Sequence, residues 1–308
     1  MFGKISKTIL ALMIVCTFAL QAHAAQKIRF GVPAWPGVMV KTEVVCQLLE
    51  SIGYPTERFE IGPPIIYKGM TSGEVDAFLA AWTPQQNPML DPLLEKKEVE
   101  VVAANLDEAS IGLCVPDFAW EAGVKSFADL EAHEKEFNKT IYDIEAGSGM
   151  HTAMEEVIAN DVAGLGDWDH AGSTTSAMLS QVKDLIKRGK WAAFGCWKPH
   201  WMNIEIDMKY LEGVPGTEKY VSQSIIYTVV SRDFQQNYPE VYTFFKNFRV
   251  PSDIQSKWIY DYGYKDIEQE KVAGDWIRAN MDMVGTWFEG VRASDGRPAM
   301  DVIRGAFK

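Results

Sequence analysis

Three tryptophans occur where an apolar stretch stops beside a proline. Trp35 follows one such stretch and precedes Pro36, whereas Trp82 and Trp197 each end a stretch and have a proline two residues later. Proline stops a strand because it has no backbone N–H to donate to a neighbouring strand. Since ligands of open α/β sheets bind outside the carboxyl ends of the strands, we predict that these indoles form three walls of one aromatic box.

An aromatic box suits a quaternary ammonium group. Such a group carries a full positive charge but has no N–H, so hydrogen-bonding side chains cannot recognise it. An indole face attracts it by a cation–π interaction worth about 2 kcal/mol when desolvated. Three such contacts would supply most of the roughly 8 kcal/mol that a micromolar affinity requires. The alternative interpretation is that the three tryptophans are ordinary core residues.

A glycine turn offers the complementary chemistry. Gly147, Ser148, Gly149 and Met150 lead directly into a stretch with helical spacing. Backbone N–H groups and the helix dipole favour an anion at a helix start, and glycine allows a carboxylate to approach the backbone closely. A glycine turn alone is a common structural element, but beside an aromatic box it predicts a zwitterionic ligand.

The elements that would position these residues alternate between strands and helices. Strands are predicted over 27–32, 75–81, 110–115, 140–144, 191–196 and 225–230, and helices over 38–52, 150–159 and 176–187. Ser126 and Asp129 resemble a capping box that opens a short helix, and the segment from Pro239 is helical with breaks near Pro251 and Gly263. This alternation predicts an α/β protein. Because no flexible linker is present, we expect two lobes joined by crossing strands.

The N-terminal residues are typical of an export signal. Lys4 and Lys7 precede an apolar run over 9–20, and a small-x-small cleavage motif follows at 22–24. The run is shorter than the roughly 20 residues of a membrane-spanning helix, so we expect a cleaved signal peptide over 1–24 rather than an anchor. Cys16 lacks the preceding small residues of a lipoprotein signal. A soluble mature chain in a Gram-negative periplasm is therefore expected.

Composition excludes several kinds of partner. The chain has 30 Lys and Arg against 42 Asp and Glu, a formal net charge of −12. Such a surface repels nucleic acid and anionic lipid, so neither nucleic-acid binding nor membrane insertion of the mature chain is expected. Cys46, Cys114 and Cys196 remain after cleavage and allow at most one internal disulfide, whose formation the sequence leaves open. We expect a monomer without cofactor or metal.

At these residues the chain resembles the glycine betaine/choline-type substrate-binding proteins of ABC transporters, over nearly its whole mature length. The strings that carry the resemblance are Gly195-Cys-Trp197-Lys-Pro199-His200-Trp201-Met202, Ile144-Glu-Ala-Gly147-Ser-Gly149-Met150, Ala80-Ala-Trp82-Thr-Pro84, Gly31-Val-Pro-Ala-Trp35 and Gly73-Glu-Val-Asp76-Ala. The resemblance implies a two-lobed, type II-like periplasmic binding protein fold with the ligand in the cleft between the lobes. Lobe one would comprise 25–112 and 212–308, and lobe two would comprise 113–211.

The resemblance also implies roles for single residues. The aromatic cage of the family falls on Trp35, Trp82 and Trp197, and the amides that bind the ligand's carboxylate fall on Gly149 and Met150. Ser148 and His200, which lie within two of the matching strings, complete the expected ligand-binding residues together with Asn87.

Asn87 is expected to bind the ligand because the chain departs from the family pattern after Trp82. Some members have a histidine there that contacts the carboxylate, whereas this chain has Gln85-Gln86-Asn87. Choline-preferring members also place an acidic residue soon after the first cage tryptophan and an aromatic residue near position 111. This chain has Gly37 and Ile111 instead, so choline is disfavoured as the preferred ligand.

The implied function is capture of a quaternary-ammonium zwitterion, such as glycine betaine, for the permease and ATPase of an ABC importer. Binding of choline or carnitine in the same fold, and a ligand sensor without a transport role, are alternatives. An enzyme is disfavoured because G-x-S-x-G, P-loop, H-E-x-x-H and paired-cysteine motifs are absent from the sequence.

Three further features contain residue types that occur in catalytic or metal sites, but we interpret them as structural. The string Asp167-Trp-Asp169-His170 suggests acid–base work, but its glycine-rich surroundings favour a loop. Cys196 has no recognisable base beside it. The histidines at 133, 151, 170 and 200 are scattered along the chain, and we interpret them as surface or packing residues rather than metal ligands.

Overall fold

The computed structural model describes residues 26–308, so the predicted signal peptide and Cys16 lie outside the described residues. The described chain forms one mixed sheet with helices packed around it. Its strands are β1 (Ile28–Val32), β2 (Thr56–Glu60), β3 (Ala77–Thr83), β4 (Val99–Pro116), β5 (Thr140–Ile144), β6 (Asp169–Ser173), β7 (Ala193–Lys198), β8 (Met208–Tyr210) and β9 (Ser222–Ser231). The strand order is β2-β1-β3-β9-β4-β7-β5-β6, and β8 pairs with β4.

Helices follow most strands. They are α1 (Pro36–Ser51), α2 (Pro63–Ser72), α3 (Asn87–Glu95), α4 (Asp117–Glu121), α5 (Glu134–Phe137), α6 (Gly149–Ala159), α7 (Thr175–Lys187), α8 (Met202–Glu205), α9 (Phe234–Asn237), α10 (Pro239–Asn247), α11 (Ser252–Gly263), α12 (Gln269–Ala279), α13 (Met281–Trp287) and α14 (Ala299–Ala306). Ser126 and Asp129 form the predicted capping box, which opens a 3-10 turn over Phe127–Asp129. Within 26–308 no helix is long and apolar enough to cross a membrane.

Two separate hydrophobic cores divide the molecule into lobes. One core draws its residues from 28–109 and 226–303, and the other draws them from 111–220 and from Ile259 on α11. The change from one core to the other falls between Ala109 and Ile111 on β4, and between Tyr220 and Ile226 where β9 begins. The chain therefore passes between the lobes twice, along two strands.

The two crossing strands β4 and β9 pair antiparallel, and their register is interrupted three times. The irregularities lie between Val101 and Ala103, between Ala104 and Leu106, and between Leu106 and Ala109. Bulges bend a strand and increase its local twist. The pair therefore bends just before the polypeptide enters the second core.

The edge strands differ from the sequence expectation. Residues 169–170 were predicted to lie in a loop, but they begin β6, which pairs only with β5 in the sheet. The prediction failed because an edge strand keeps half of its surface in water and so tolerates polar residues and glycine. At the other edge, the half-exposed strand β2 (Thr56–Glu60) was missed for the same reason.

A disulfide joins Cys114 on β4 to Cys196 on β7, two strands that pair antiparallel. The Cα atoms of the two cysteines are 5.9 Å apart. Cys46 is a buried free thiol on α1. The sequence had left this pairing open.

Candidate ligand-binding site between the lobes

A cavity lies between the two lobes, at the carboxyl ends of β1, β3, β5 and β7. Residues of both lobes line it, namely Trp35, Pro36, Gly37, Val38, Lys41, Ala80, Trp82, Gln85, Gln86, Ile111, Ile144, Ser148, Gly149, Met150, Trp197, Pro199, His200, Ile226, Gln255 and Ile259. This set includes the three strand-end tryptophans and most of the glycine turn. The carboxyl ends of these four strands thus bring together segments that lie far apart in the chain.

The three cavity tryptophans differ from the tryptophans of the core. Trp35, Trp82 and Trp197 are half-buried, whereas Trp258 and Trp287 are only 1% and 2% exposed. Trp82 and Trp197 are the penultimate residues of β3 and β7, and the peptide bond after the last residue of each strand, 83–84 and 198–199, is cis to proline. Their free indole surface faces the cavity instead of the packed interior.

A hydrogen bond from the first indole crosses the cleft. Trp35 Nε1 donates to Glu145 Oε1 at 2.6 Å. Trp35 belongs to lobe one, whereas Glu145 directly follows β5 in lobe two. The acceptor is a carboxylate, which makes this bond stronger than one between neutral groups. The contact orients Trp35 and holds the two lobes together.

The glycine turn closes against the opposite lobe. Gly147 has φ of +87°, and Ser148 caps α6 by accepting a hydrogen bond from His151 N at 3.1 Å. A Cβ at position 149 would lie 2.7 Å from the backbone oxygen of Gln85. Glycine is therefore required at 149 for this approach. The first N–H groups of a helix have no partner within the helix, and here they lie at the cavity wall.

His200 offers the cavity a hydrogen-bond donor. Its side chain is only 3% exposed, and burial lowers the pKa of His200 to about 3, so the ring is neutral. Its Nδ1 accepts from the backbone N–H of Met202 at 3.2 Å, which leaves the ring proton on Nε2. Among the described residues Nε2 has no hydrogen-bond partner. The ring packs edge-on against Trp197 at 4.9 Å between centroids.

Lys41 is the buried amine of the cavity wall. It is 1% exposed, and its Nζ donates to Asn105 Oδ1 at 2.6 Å. Burial lowers the pKa of Lys41 to about 7. Asn105 on β4 also donates to Thr228 Oγ1 on β9 at 3.0 Å. A polar chain thus runs from the cavity to both crossing strands.

Asn87 does not line the cavity. It is the first residue of α3, and the turn before it directs Gln85 and Gln86 into the cavity instead. Both amides have protein partners: Gln85 Nε2 donates to Ser222 Oγ at 2.5 Å, and Gln86 accepts from Tyr67 OH at 2.8 Å. The turn therefore gives Gln85 and Gln86 the places at the cavity wall that the sequence had suggested for Asn87.

Several cavity residues had been missed in the sequence. Lys41 could have been recognised from the sequence, because it is a single lysine inside the apolar run of α1. Gln255 and Ile259, one turn apart on α11, carried no signal, because helical spacing does not reveal which side chains reach a distant cleft.

The family comparison identifies the chain. The family model described as the substrate-binding domain of the ABC-type glycine betaine transport system (OpuAC) matches residues 26–279. The chain belongs to this OpuAC family. The family and fold class predicted from the sequence are confirmed, and the family is one of transport proteins rather than enzymes.

Solved structures agree with this membership in the OpuAC family. An ABC-transporter choline-binding protein in complex with choline is 26% identical, with a TM-score of 0.88, and the match covers 92% of this chain and 98% of that one. Lactococcal OpuAC, in its closed conformation with glycine betaine, is 25% identical with a TM-score of 0.77, over 85% of this chain and 99% of that one.

A curated relative in sequence is the glycine betaine/carnitine transport binding protein GbuC of Listeria monocytogenes. It is 28% identical over 162 residues, which are 53% of this OpuAC-family chain and 53% of GbuC. The chain thus aligns with about half the length of that relative.

Proposed function

We propose that this protein binds a quaternary-ammonium zwitterion, glycine betaine or a close analogue, and delivers it to the permease and ATPase of an ABC importer. One observation carries the proposal: three half-buried tryptophans from both lobes share a cavity with a helix start and an unpartnered histidine N–H. A ligand that matches them has a cation without N–H groups for the tryptophans, and an anion a few ångströms away for the helix start and the histidine.

The cationic end of the ligand would lie among Trp35, Trp82 and Trp197. Each desolvated indole face contributes about 2 kcal/mol of cation–π attraction. The hydrogen bond from Trp35 to Glu145 places a carboxylate at the edge of that ring, and its negative charge makes the ring a better partner for a cation.

The anionic end would accept hydrogen bonds from the backbone of Gly149 and Met150, at the start of α6, and from His200 Nε2. Because the pKa of His200 is lowered to about 3, its ring is neutral near neutral pH and its tautomer is fixed by Met202. His200 would then supply the donor that the sequence had assigned to Asn87. Ser148 acts indirectly, by capping the same helix turn.

Choline and carnitine remain second candidates. Choline carries a hydroxyl group instead of a carboxylate, so it would leave the helix-start amides without an anion. Carnitine has both charges but a longer chain, and the relative GbuC is named for glycine betaine and carnitine. The compact cavity and its paired donors favour the shorter zwitterion. A sensor without a transport role would use the same site.

Export supports the transport role. The Cys114–Cys196 disulfide is typical of proteins that fold in an oxidising compartment. The basic and apolar residues at the start of the chain have the pattern of a signal peptide. We therefore propose that the mature protein acts in the periplasm, and we expect it to be a monomer.

A calorimetric ligand panel tests the proposal. Glycine betaine is expected to bind the purified mature protein tightly, while glycine, which keeps the carboxylate but has N–H groups, is expected to show no binding. Dimethylglycine, with one methyl group fewer, should fall between them. Binding of ordinary amino acids or sugars, with no response to any quaternary amine, would refute the proposal.

A further inference from the structure

A second group of ionisable side chains lies in lobe two, behind the glycine turn. Asp143 on β5, His151 on α6 and His170 on β6 each offer one ligand atom, and these atoms lie within 4.8 Å of one another. The sequence had suggested that the two histidines were separate surface or packing residues. The fold instead stacks their rings at 3.9 Å between centroids.

Asp143 is a buried carboxylate in need of a positive partner. It is 0% exposed, and its Oδ2 lies 3.1 Å from His170 Nε2 and 3.4 Å from the hydroxyl of Tyr220. Among the ion pairs of residues 26–308, none joins Asp143 to a lysine or an arginine. A buried carboxylate without a cation is strongly destabilising. Asp143 also accepts a hydrogen bond from the Ile144 N–H at 2.7 Å, but a bound metal ion would supply the positive charge that these neighbours lack.

His151 has the hydrogen bonding of a metal ligand. Its Nδ1 lies 2.9 Å from the carbonyl oxygen of Ile144, so Nδ1 carries the proton and the lone pair is on Nε2. Metal-binding histidines are commonly fixed by such a bond from the other ring nitrogen to a backbone carbonyl. One helical turn later, Glu155 Oε1 lies 3.7 Å from His151 Nε2.

We propose that Asp143, His151 and His170, with Glu155 as the fourth ligand, bind a divalent transition-metal ion of the Zn²⁺ class. Two imidazoles and two carboxylates suit zinc and its neighbours, whereas magnesium and calcium prefer oxygen ligands alone. Two atoms each about 2 Å from a tetrahedral zinc are just over 3 Å apart, close to the 3.1 Å between Asp143 and His170. Because a bound ion lies in the plane of each imidazole ring, binding needs one of the two stacked rings to turn so that its nitrogen points at the ion.

Such an ion would act on the ligand site proposed above. His151 lies in the first turn of α6, directly after Met150, so the ion would tie the start of α6 to β5 and β6. It would also place positive charge behind the amides proposed to bind the carboxylate. Metal and glycine betaine should then increase each other's affinity, as linkage requires. Only this coupling rests on the proposed function, because metal binding itself is measured without glycine betaine.

The test is a Co²⁺ titration of the untagged mature protein after treatment with a chelator. We expect one equivalent to bind with visible absorption typical of four-coordinate Co²⁺, and Zn²⁺ to displace it. His170→Gln and Glu155→Gln should each weaken binding, by about 100-fold and about 10-fold respectively.

Matched controls are exposed acidic neighbours of two ligands. Asp169→Asn and Glu156→Gln should leave Co²⁺ affinity unchanged. Circular dichroism checks folding, and Glu155 is exposed, so Glu155→Gln decides the result if His170→Gln does not fold. Absence of saturable binding at about 100 µM Co²⁺, or equal binding by Glu155→Gln and wild type, would overturn the metal site.

Discussion

At the scale of single residues, exposure separates the tryptophans of the site from those of the core. Trp197 keeps part of its indole free at the cavity, whereas Trp258 is sealed in the core of lobe one, where it meets Trp276 edge to face at 4.9 Å between centroids. The two positions carry the same residue type but have different surroundings. Substitution should therefore affect binding at the first position and folding at the second.

We predict that Trp197→Ala weakens glycine betaine binding by about 2 kcal/mol or more, because a desolvated cation–π contact is lost. Trp197→Phe should be milder, since a weaker aromatic face remains. Trp258→Ala is the contrasting variant, and it should lower the free energy of unfolding by about 3–5 kcal/mol. Calorimetry and chemical denaturation separate the two effects. Unchanged affinity in Trp197→Ala with a large loss of stability would mean that Trp197 is a core residue.

His200 allows the anionic end of the ligand to be tested alone. In His200→Ala, the affinity for glycine betaine should fall by about 1.5–3 kcal/mol, the usual value of a hydrogen bond to a charged group. The affinity for choline, which has no carboxylate, should change far less. Calorimetry with both ligands on both proteins gives the comparison. An equal loss for the two ligands would indicate that His200 acts only by packing against Trp197.

Lys41 predicts how affinity depends on pH. Because burial lowers the pKa of Lys41 to about 7, the amine is largely neutral above that pH and charged below it. Lys41 lies on α1, the helix that follows Trp35, so a charged Lys41 would repel the ammonium end of the zwitterion and affinity should fall as pH decreases through about 7. Glycine betaine keeps its charges over this range, and His200 stays neutral.

Calorimetry at about pH 6 and about pH 8.5, on either side of the Lys41 pKa, measures the effect. Lys41→Met removes the titrating group and should flatten the dependence. If Lys41→Met retained the full pH dependence of the wild type, another group would have to be responsible.

At the scale of elements, the interior of the sheet was predictable and its edges were not. The interior strand β5 (Thr140–Ile144) has the predicted limits, and four of its five residues are buried although Thr140 and Asp143 are polar. The edge strands β2 and β6 lack a continuous apolar pattern, because the backbone groups along one edge of each can bond to water. The predicted strand at 110–115 covers only a third of β4, because polar residues such as Asn105, Asp107 and Glu108 interrupt the apolar pattern before it.

The site was predictable to the extent that it depends on strand ends. Trp82 and Trp197 could be assigned to one edge because proline marks where each strand stops. Gln255 could not be assigned, since nothing local links α11 to the cleft. The place of Asn87 could not be predicted either, because the tight turn after β3 decides that Gln85 and Gln86 line the cavity.

The glycine turn at Gly149 should determine how closely the two lobes approach each other. Gly149→Ala would place a methyl group 2.7 Å from the backbone oxygen of Gln85 in the other lobe, so the lobes should no longer close fully. Affinity for glycine betaine should fall about 10-fold or more, while the melting temperature without ligand should hardly change. Gly305→Ala on α14, where an added methyl group would meet open space, is the control. Normal affinity in Gly149→Ala would mean that the lobes do not approach this closely when loaded.

At the scale of the whole molecule, the ligand site belongs to neither lobe alone. The cage and the helix start come from two cores that share only the crossing strands and the contacts across the cleft. A ligand that touches both sides binds the closed form better than the open form, and this difference shifts the population toward closure. A permease can then distinguish a loaded carrier from an empty one by shape.

Solution scattering tests closure directly. Saturating glycine betaine should reduce the radius of gyration of the wild type, with little change inside each lobe. Glu145→Ala removes the bond from Trp35 across the cleft, so it should speed ligand release and leave a larger open fraction at equal ligand concentration. Identical scattering curves with and without bound ligand would indicate a rigid pocket.

The disulfide has a mechanical consequence for this motion. Cys114 lies on the lobe-two half of β4, beyond the register irregularities, and Cys196 directly precedes Trp197. The disulfide therefore joins β7, which bears Trp197, to the part of β4 that follows the bend. If β4 moves during the proposed closure, Trp197 would move with it, so the angle of this crossing strand would determine whether the third indole reaches the ligand.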